Sequence, residues 1–187
     1  MHFLIVFILS FVIYFSADAQ VTPIYFYGNQ LTQDKDKATA YAVFGKLSTD
    51  SVYTFKMYDL YDNLLQTGFY KDDSLKIPHG RFSKYESIED FNYNHDAYFY
   101  IKNKDRFLSE QGEFVDGKKV GRWIQFYPDG KIFSITNYLA GFKHGEFKAY
   151  SRKGKLISGG YFKLGLKDGL WIYEFGKKER YNNGVLY

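Results

Sequence analysis

The feature that most constrains this chain is an internal repeat, because a repeat dictates architecture before any single residue does. Three segments align: FVDGKKVGRWIQFYPDGKIFSITN from Phe114, YLAGFKHGEFKAYSRKGKLISGGY from Tyr138, and FKLGLKDGLWIYEFGKKER from Phe162. Their starts at 114, 138 and 162 set a period of 24 residues. Each opens with an aromatic (Phe114, Tyr138, Phe162), followed by Gly117, Gly141 or Gly165, then by Lys119, Lys143 or Lys167. Gly121, Gly145 or Gly169 comes next, with a large ring two places on: Trp123, Phe147, Trp171. A second turn falls at Pro128-Asp129-Gly130 and at Arg152-Lys153-Gly154, and is shortened at Phe175-Gly176. Tyr181-Asn182-Asn183-Gly184 starts a fourth unit.

These residues predict a β-hairpin per unit. Glycine tolerates positive φ, so the pair of glycines that brackets each lysine is expected to form a tight reversal. Pro128 presets φ at the first corner of the second turn, and Gly130 can take its left-handed position; Gly154 marks the equivalent turn one unit on. Between turns lie runs such as Arg122 to Tyr127 and Lys131 to Tyr138, of strand length and rich in aromatics and Ile. Consecutive hairpins are expected to pair as an antiparallel meander, with each unit's large ring packing on its equivalents one repeat away. A lone hairpin is marginal in water, and burying each such ring contributes roughly 1.5–3 kcal/mol.

Residues 20–111 carry the same unit in diverged form. Tyr58 to Tyr70 matches the spacing of Tyr150 to Phe162, and His79-Gly80-Arg81-Phe82 matches His144-Gly145-Glu146-Phe147. The segment 87–96 reads as an insertion, after which the regular array runs over 112–187. An aromatic share of 21% points the same way, since Tyr and Phe fit a pleated, half-buried surface.

The first residues read as an address. Phe3 to Phe15 is an apolar run interrupted only by Ser10, too short to span a bilayer and of the length of a signal-peptide core. Ala17 and Ala19 supply the small residues that a signal peptidase needs, so residues 1–19 are expected to be a signal peptide cut after Ala19. The mature chain is then expected in the periplasm, outside the cell or on its surface, and not as an integral membrane protein. There is no Cys, which excludes disulfides and thiolate chemistry. A formal charge of +4 from interspersed signs describes a solvated surface and not a nucleic-acid-binding stripe.

The recurring aromatic-x-x-Gly-x-Lys-x-Gly-x-Trp/Phe, followed by Gly-Lys-Ile/Leu, resembles the bacterial variant of the MORN repeat, as found in YwqK-type antitoxin-like chains. The match is good over 112–187 and fair over 53–85. Tyr25 to Tyr41 is similar to the opening of envelope proteins of this type from Bacteroidota. The resemblance implies an elongated all-β sheet of hairpins and a role in binding.

No residue pattern points to catalysis, a cofactor or a metal. His79 and His144 share a turn position held elsewhere by Val120 and Asp168, and His95 has no second ligand at a usable spacing. No serine sits in a nucleophile elbow, and Gly-Leu-Lys-Asp-Gly lacks the Lys-Ser/Thr and helix of a phosphate loop. Lys119, Lys143 and Lys167 recur once per unit, either as solubilising turn residues or as a ladder for anionic lipid or polysaccharide. The expected function is a non-enzymatic β surface that binds an unknown protein partner. A carbohydrate or anionic-lipid binder and an antitoxin or immunity protein are the alternatives.

Overall fold

The computed structural model describes residues 23–28, 30–46 and 49–187. The expected signal peptide at 1–19 lies outside them. The fold is all-β: the described residues form a single 14-stranded antiparallel sheet that among them is open at both edges. Its strands are β1 (Ile24–Tyr27), β2 (Gln30–Thr32), β3 (Ala40–Gly45), β4 (Tyr53–Asp59), β5 (Leu64–Tyr70) and β6 (Gly80–Ser87). After the helix α1 (Ile88–His95) come β7 (Arg106–Val115), β8 (Lys118–Phe126), β9 (Ile132–Leu139) and β10 (Phe142–Tyr150). The array ends in β11 (Leu156–Lys163), β12 (Leu166–Tyr173), β13 (Lys178–Asn182) and β14 (Val185–Leu186). From β3 onward every strand lies beside its neighbour in sequence, as a meander requires. The departure is at the start, where β1 is inserted between β2 and β3.

The reversals sit elsewhere than the glycine pairs suggest. Asp116-Gly117, Ala140-Gly141 and Leu164-Gly165 all have positive φ at both residues, and so does Asn183-Gly184. Two positive φ values at the centre of a two-residue loop define a type I′ turn, whose twist matches that of the flanking strands. The second glycine of each pair lies inside a strand. Gly121, Gly145 and Gly169 keep positive φ, and the pairing register shifts beside them. They are therefore β-bulges, which bend a strand and raise its local twist. β8 accordingly begins at Lys118, four residues before the strand read from the sequence.

At the opposite end of the sheet, Gly130 N–H donates to the Tyr127 carbonyl and Tyr127 N–H to Lys131. Pro128 holds the first corner and Gly130 stands at φ +83°, as that turn chemistry predicts. The segment 87–96, read as an insertion, is the helix α1. Ser87 caps it by accepting the Asp90 N–H, and Asp96 ends it in a left-handed conformation. Ile88 and Phe91 face inward and form a small core with Phe99 and Phe107. Asn92 fixes the following loop by exchanging two hydrogen bonds with the Phe99 backbone.

Candidate functional site

A single-layer sheet has no second layer to cover its apolar face, so the covering must come from within. One row of side chains across the sheet supplies it. Phe55 pairs with Gly68, Phe82 with Gly112, Trp123 with Thr136 and Phe147 with Gly160. Large and small residues thus alternate from strand to strand. A Cβ built on Gly68 would fall inside the Phe82 ring, one on Gly112 inside Trp123, and one on Gly160 inside Trp171. Each of these three rings lies on the bare backbone of the preceding strand, which is why Phe82, Trp123 and Trp171 are only 2–4% exposed in an open sheet.

A second row stands two residues further along β5, β7, β9 and β11: Tyr70, Phe114, Tyr138 and Phe162. It meets the first row edge to face. Tyr70 and Phe82 lie 5.4 Å apart, Phe82 and Phe114 4.9 Å, and Phe114 and Trp123 5.0 Å. This T-shaped geometry sets the positive ring edge against the negative face. The repeat alignment picked out Phe114, Trp123, Tyr138, Phe147, Phe162 and Trp171, but not the glycines that lie beneath Trp123 and Trp171. A signal was present: Gly68, Gly112 and Gly160 each stand two residues before the aromatic that opens a unit.

The lysine row is folded onto this face. Lys119 Nζ lies 3.6 Å from the centre of the Trp123 ring and 3.1 Å from Glu110. Burial pushes the Lys119 ammonium pKa down, and Glu110 offsets part of that shift. Lys167 sits 4.6 Å from Trp171 and donates to the Tyr173 hydroxyl, while Lys143 lies 5.2 Å from the Phe162 ring. These ammonium groups complete the cover of the rings as cation–π partners.

The two ends of the sheet differ in character. At the type I′ end, the glycine N–H of each turn donates to the preceding unit: Gly117 to Pro78, Gly141 to Lys119, Gly165 to Lys143 and Gly184 to Lys167. At the position shared by His79, Val120, His144 and Asp168, the three polar residues cap the next turn. His79 Nδ1 accepts from Asp116 N–H, His144 Nδ1 from Leu164 N–H, and Asp168 from Asn183 N–H. The two histidines therefore hold units together. Among the described residues, no group of three His, Asp or Glu side chains is placed to hold a metal ion.

The other end carries α1 and an array of rings that cover nothing. Tyr61, Tyr93, Tyr98 and Tyr100 are each 87–89% exposed, and Phe175 is 93% exposed. The turn that carries Tyr61 is ordered by Asp59, which accepts from the backbone N–H groups of Tyr61 and Asn63 and from the Asn63 amide. Burial raises the Asp59 pKa, but those hydrogen bonds and nearby Arg106 outweigh it and leave the carboxyl below its usual range. Asn63 and Tyr100 line one pocket of about 470 Å³, so the Tyr61 turn and the loop after α1 meet there. The sequence did not single out these tyrosines: Tyr93, Tyr98 and Tyr100 lie outside the repeat frame, and Tyr61 falls at a turn position held by Lys153 in the unit it matches. Among the described residues, no helix is long and apolar enough to cross a membrane. In comparisons with known proteins, the chain matches no family model and no curated protein.

Proposed function

We propose that this chain is an exported, non-enzymatic interaction module of the bacterial envelope that holds a protein partner at the helix-bearing end of its sheet. The observation that carries this reading is the group of four tyrosines, Tyr61, Tyr93, Tyr98 and Tyr100, left almost wholly in solvent. Tyrosine supplies a large, stiff, amphipathic contact and is enriched at interfaces. The aromatics of the repeat face are engaged in covering their own backbone, whereas these are not. The local frame is rigid: a capped helix, an Asn92 clamp on Phe99, and an Asp59-ordered turn. The MORN-like repeat pattern supports the same reading, as a scaffold that displays loops along its ends. The lysine row gives less support to an anionic-lipid surface, because Lys119 and Lys167 are committed to rings and to Glu110 or Tyr173.

The test is partner capture. Tagged protein is cross-linked in the cells that produce it, and what comes along is identified by mass spectrometry. The expected result is one dominant protein. It is lost with Tyr98→Ser/Tyr100→Ser and retained with Tyr161→Ser, a control at a half-exposed ring within β11. A toxic protein as that partner would make the chain an immunity protein. Equal recovery by all three forms, or no enriched protein, would refute the reading.

A further inference from the structure

The aromatic ladder is interrupted once, between Tyr138 and Phe147. Edge-to-face contacts run from Phe55 to Tyr138, where Trp123 and Tyr138 lie 6.2 Å apart, and resume at Phe147 with Phe162 at 5.8 Å. Among the described residues, no ring contact joins Tyr138 to Phe147. The cause is one residue. Where the other units place a glycine beneath the ring, this one has Thr136, paired with both Trp123 and Phe147. The threonine side chain stops Phe147 from lying down on β9. The ring leans the other way and stacks on Trp171 at 5.6 Å and 25°. What remains is a groove of about 220 Å³ across β8, β9 and β10.

Its walls are rings and its floor is polar. Tyr138 and Phe147, both half-buried, face each other across it. The floor holds Thr136 and the buried Ser134, whose hydroxyl donates to Gln125 Oε1 at 2.7 Å. That bond leaves the two Gln125 N–H donors aimed away from Ser134 and leaves the serine oxygen able to accept. Glu110 and Lys143 stand at the rim, one of each sign, and Glu110 already shares its charge with Lys119 and Lys84. The groove's own lining therefore carries no net formal charge. Its volume lies below the roughly 300–1,000 Å³ of pockets for drug-sized molecules, so it fits a single ring.

We infer that this groove is a subsite for one neutral pyranose of a glycan. A pyranose presents an apolar C–H face, which suits the Tyr138 and Phe147 rings, and a rim of hydroxyls that both donate and accept. The polar floor and rim offer matching groups: the Gln125 amide, the Ser134 and Thr136 hydroxyls, and the Glu110 carboxylate. The site is separate from the tyrosine-bearing end and stands or falls independently of it.

The experiment is titration of the purified protein with methyl glucoside, methyl galactoside, methyl mannoside and N-acetylglucosamine, read by ligand-observed NMR and calorimetry. Two variants accompany the wild type. Thr136→Gly/Phe147→Trp restores the pattern of the other units and closes the groove, and Gln125→Ala removes a polar contact at its floor. The inference expects saturable binding of at least one sugar, weakened about tenfold or more in both variants, which keep the wild-type circular dichroism. No binding to any of the four, or binding unchanged in the closed-groove variant, would overturn it. So would tighter binding of glucuronate or inorganic phosphate than of every neutral sugar, since that would place recognition on the lysines.

Discussion

In the unit around Trp171, a glycine lies under the ring and the indole rests on bare backbone, 2% exposed. In the unit around Phe147, a threonine stands at the same place, the ring turns aside, and a groove opens. The two units share the type I′ turn and the glycine bulge ahead of the ring, and differ beneath it in Thr136 against Gly160. A one-layer sheet can bury large rings when small residues are spaced to receive them, as aromatic rescue of strand glycines describes. Where a unit departs from that pairing, the fold persists through its neighbours, because each strand in such an array leans on the next.

Ring removal should separate the two units most clearly. Trp171→Ala is expected to cost about 3–5 kcal/mol in denaturant unfolding, and Phe147→Ala about 2 kcal/mol, since its site is already half open. Equal losses would show that Thr136 does not loosen its unit. Loss of the cationic cover gives a smaller contrast. Lys119→Ala, which uncovers Trp123, should cost about 1–2 kcal/mol, whereas Lys143→Ala at the groove rim should stay within about 0.5 kcal/mol. The turns offer a gain. Leu164 holds φ +47°, a conformation that asparagine tolerates far better, so Leu164→Asn should stabilise by about 1 kcal/mol. A loss there would mean that the exposed leucine makes a contact of its own.

Acid tests the last regular unit through Glu179, whose contribution is separated by substitution from those of Asp59, Asp72, Asp116 and Asp129, carboxyls also held low by folding. Hydrogen bonds from Lys177, then Tyr181 and Tyr173, hold the Glu179 pKa at about 2, below its ordinary 4.5. A carboxyl lowered on folding lends stability that is complete above its unfolded pKa and is lost as pH falls through the folded one. Stability should therefore decline between pH 4.5 and about 2, and Glu179→Gln should flatten that part of the curve. An unchanged profile would remove Glu179 from the account.

Much of the architecture was legible in the sequence because turn residues recur at a fixed spacing. Gly117, Gly141 and Gly165 mark reversals whose chemistry is local, and the rings mark strands. Two things were not legible. Gly121, Gly145 and Gly169 look like turn residues because both a turn and a bulge use positive φ, and only pairing register separates them. Gly68, Gly112 and Gly160 carry ordinary strand φ and take their role from a ring on the next strand, a contact that no local pattern encodes. The helix α1 escaped for a related reason. Its two core residues, Ile88 and Phe91, give one turn of periodicity, too little to distinguish a helix from a loop. Tyr93, Tyr98 and Tyr100 lie outside the repeat, and Tyr61 sits at a turn position that holds Lys153 in the matching unit, so no alignment of units could select them.

The central claim is that rings resting on strand glycines hold this sheet, and unfolding of Gly160→Ala tests it most directly. Replacing a strand glycine by alanine ordinarily stabilises, by about 0.4–1 kcal/mol, because the unfolded chain loses freedom. Here the added methyl group enters the Trp171 ring, so the account predicts a loss of about 1–3 kcal/mol and a rise in indole exposure. A variant as stable as the wild type, or more so, would contradict it.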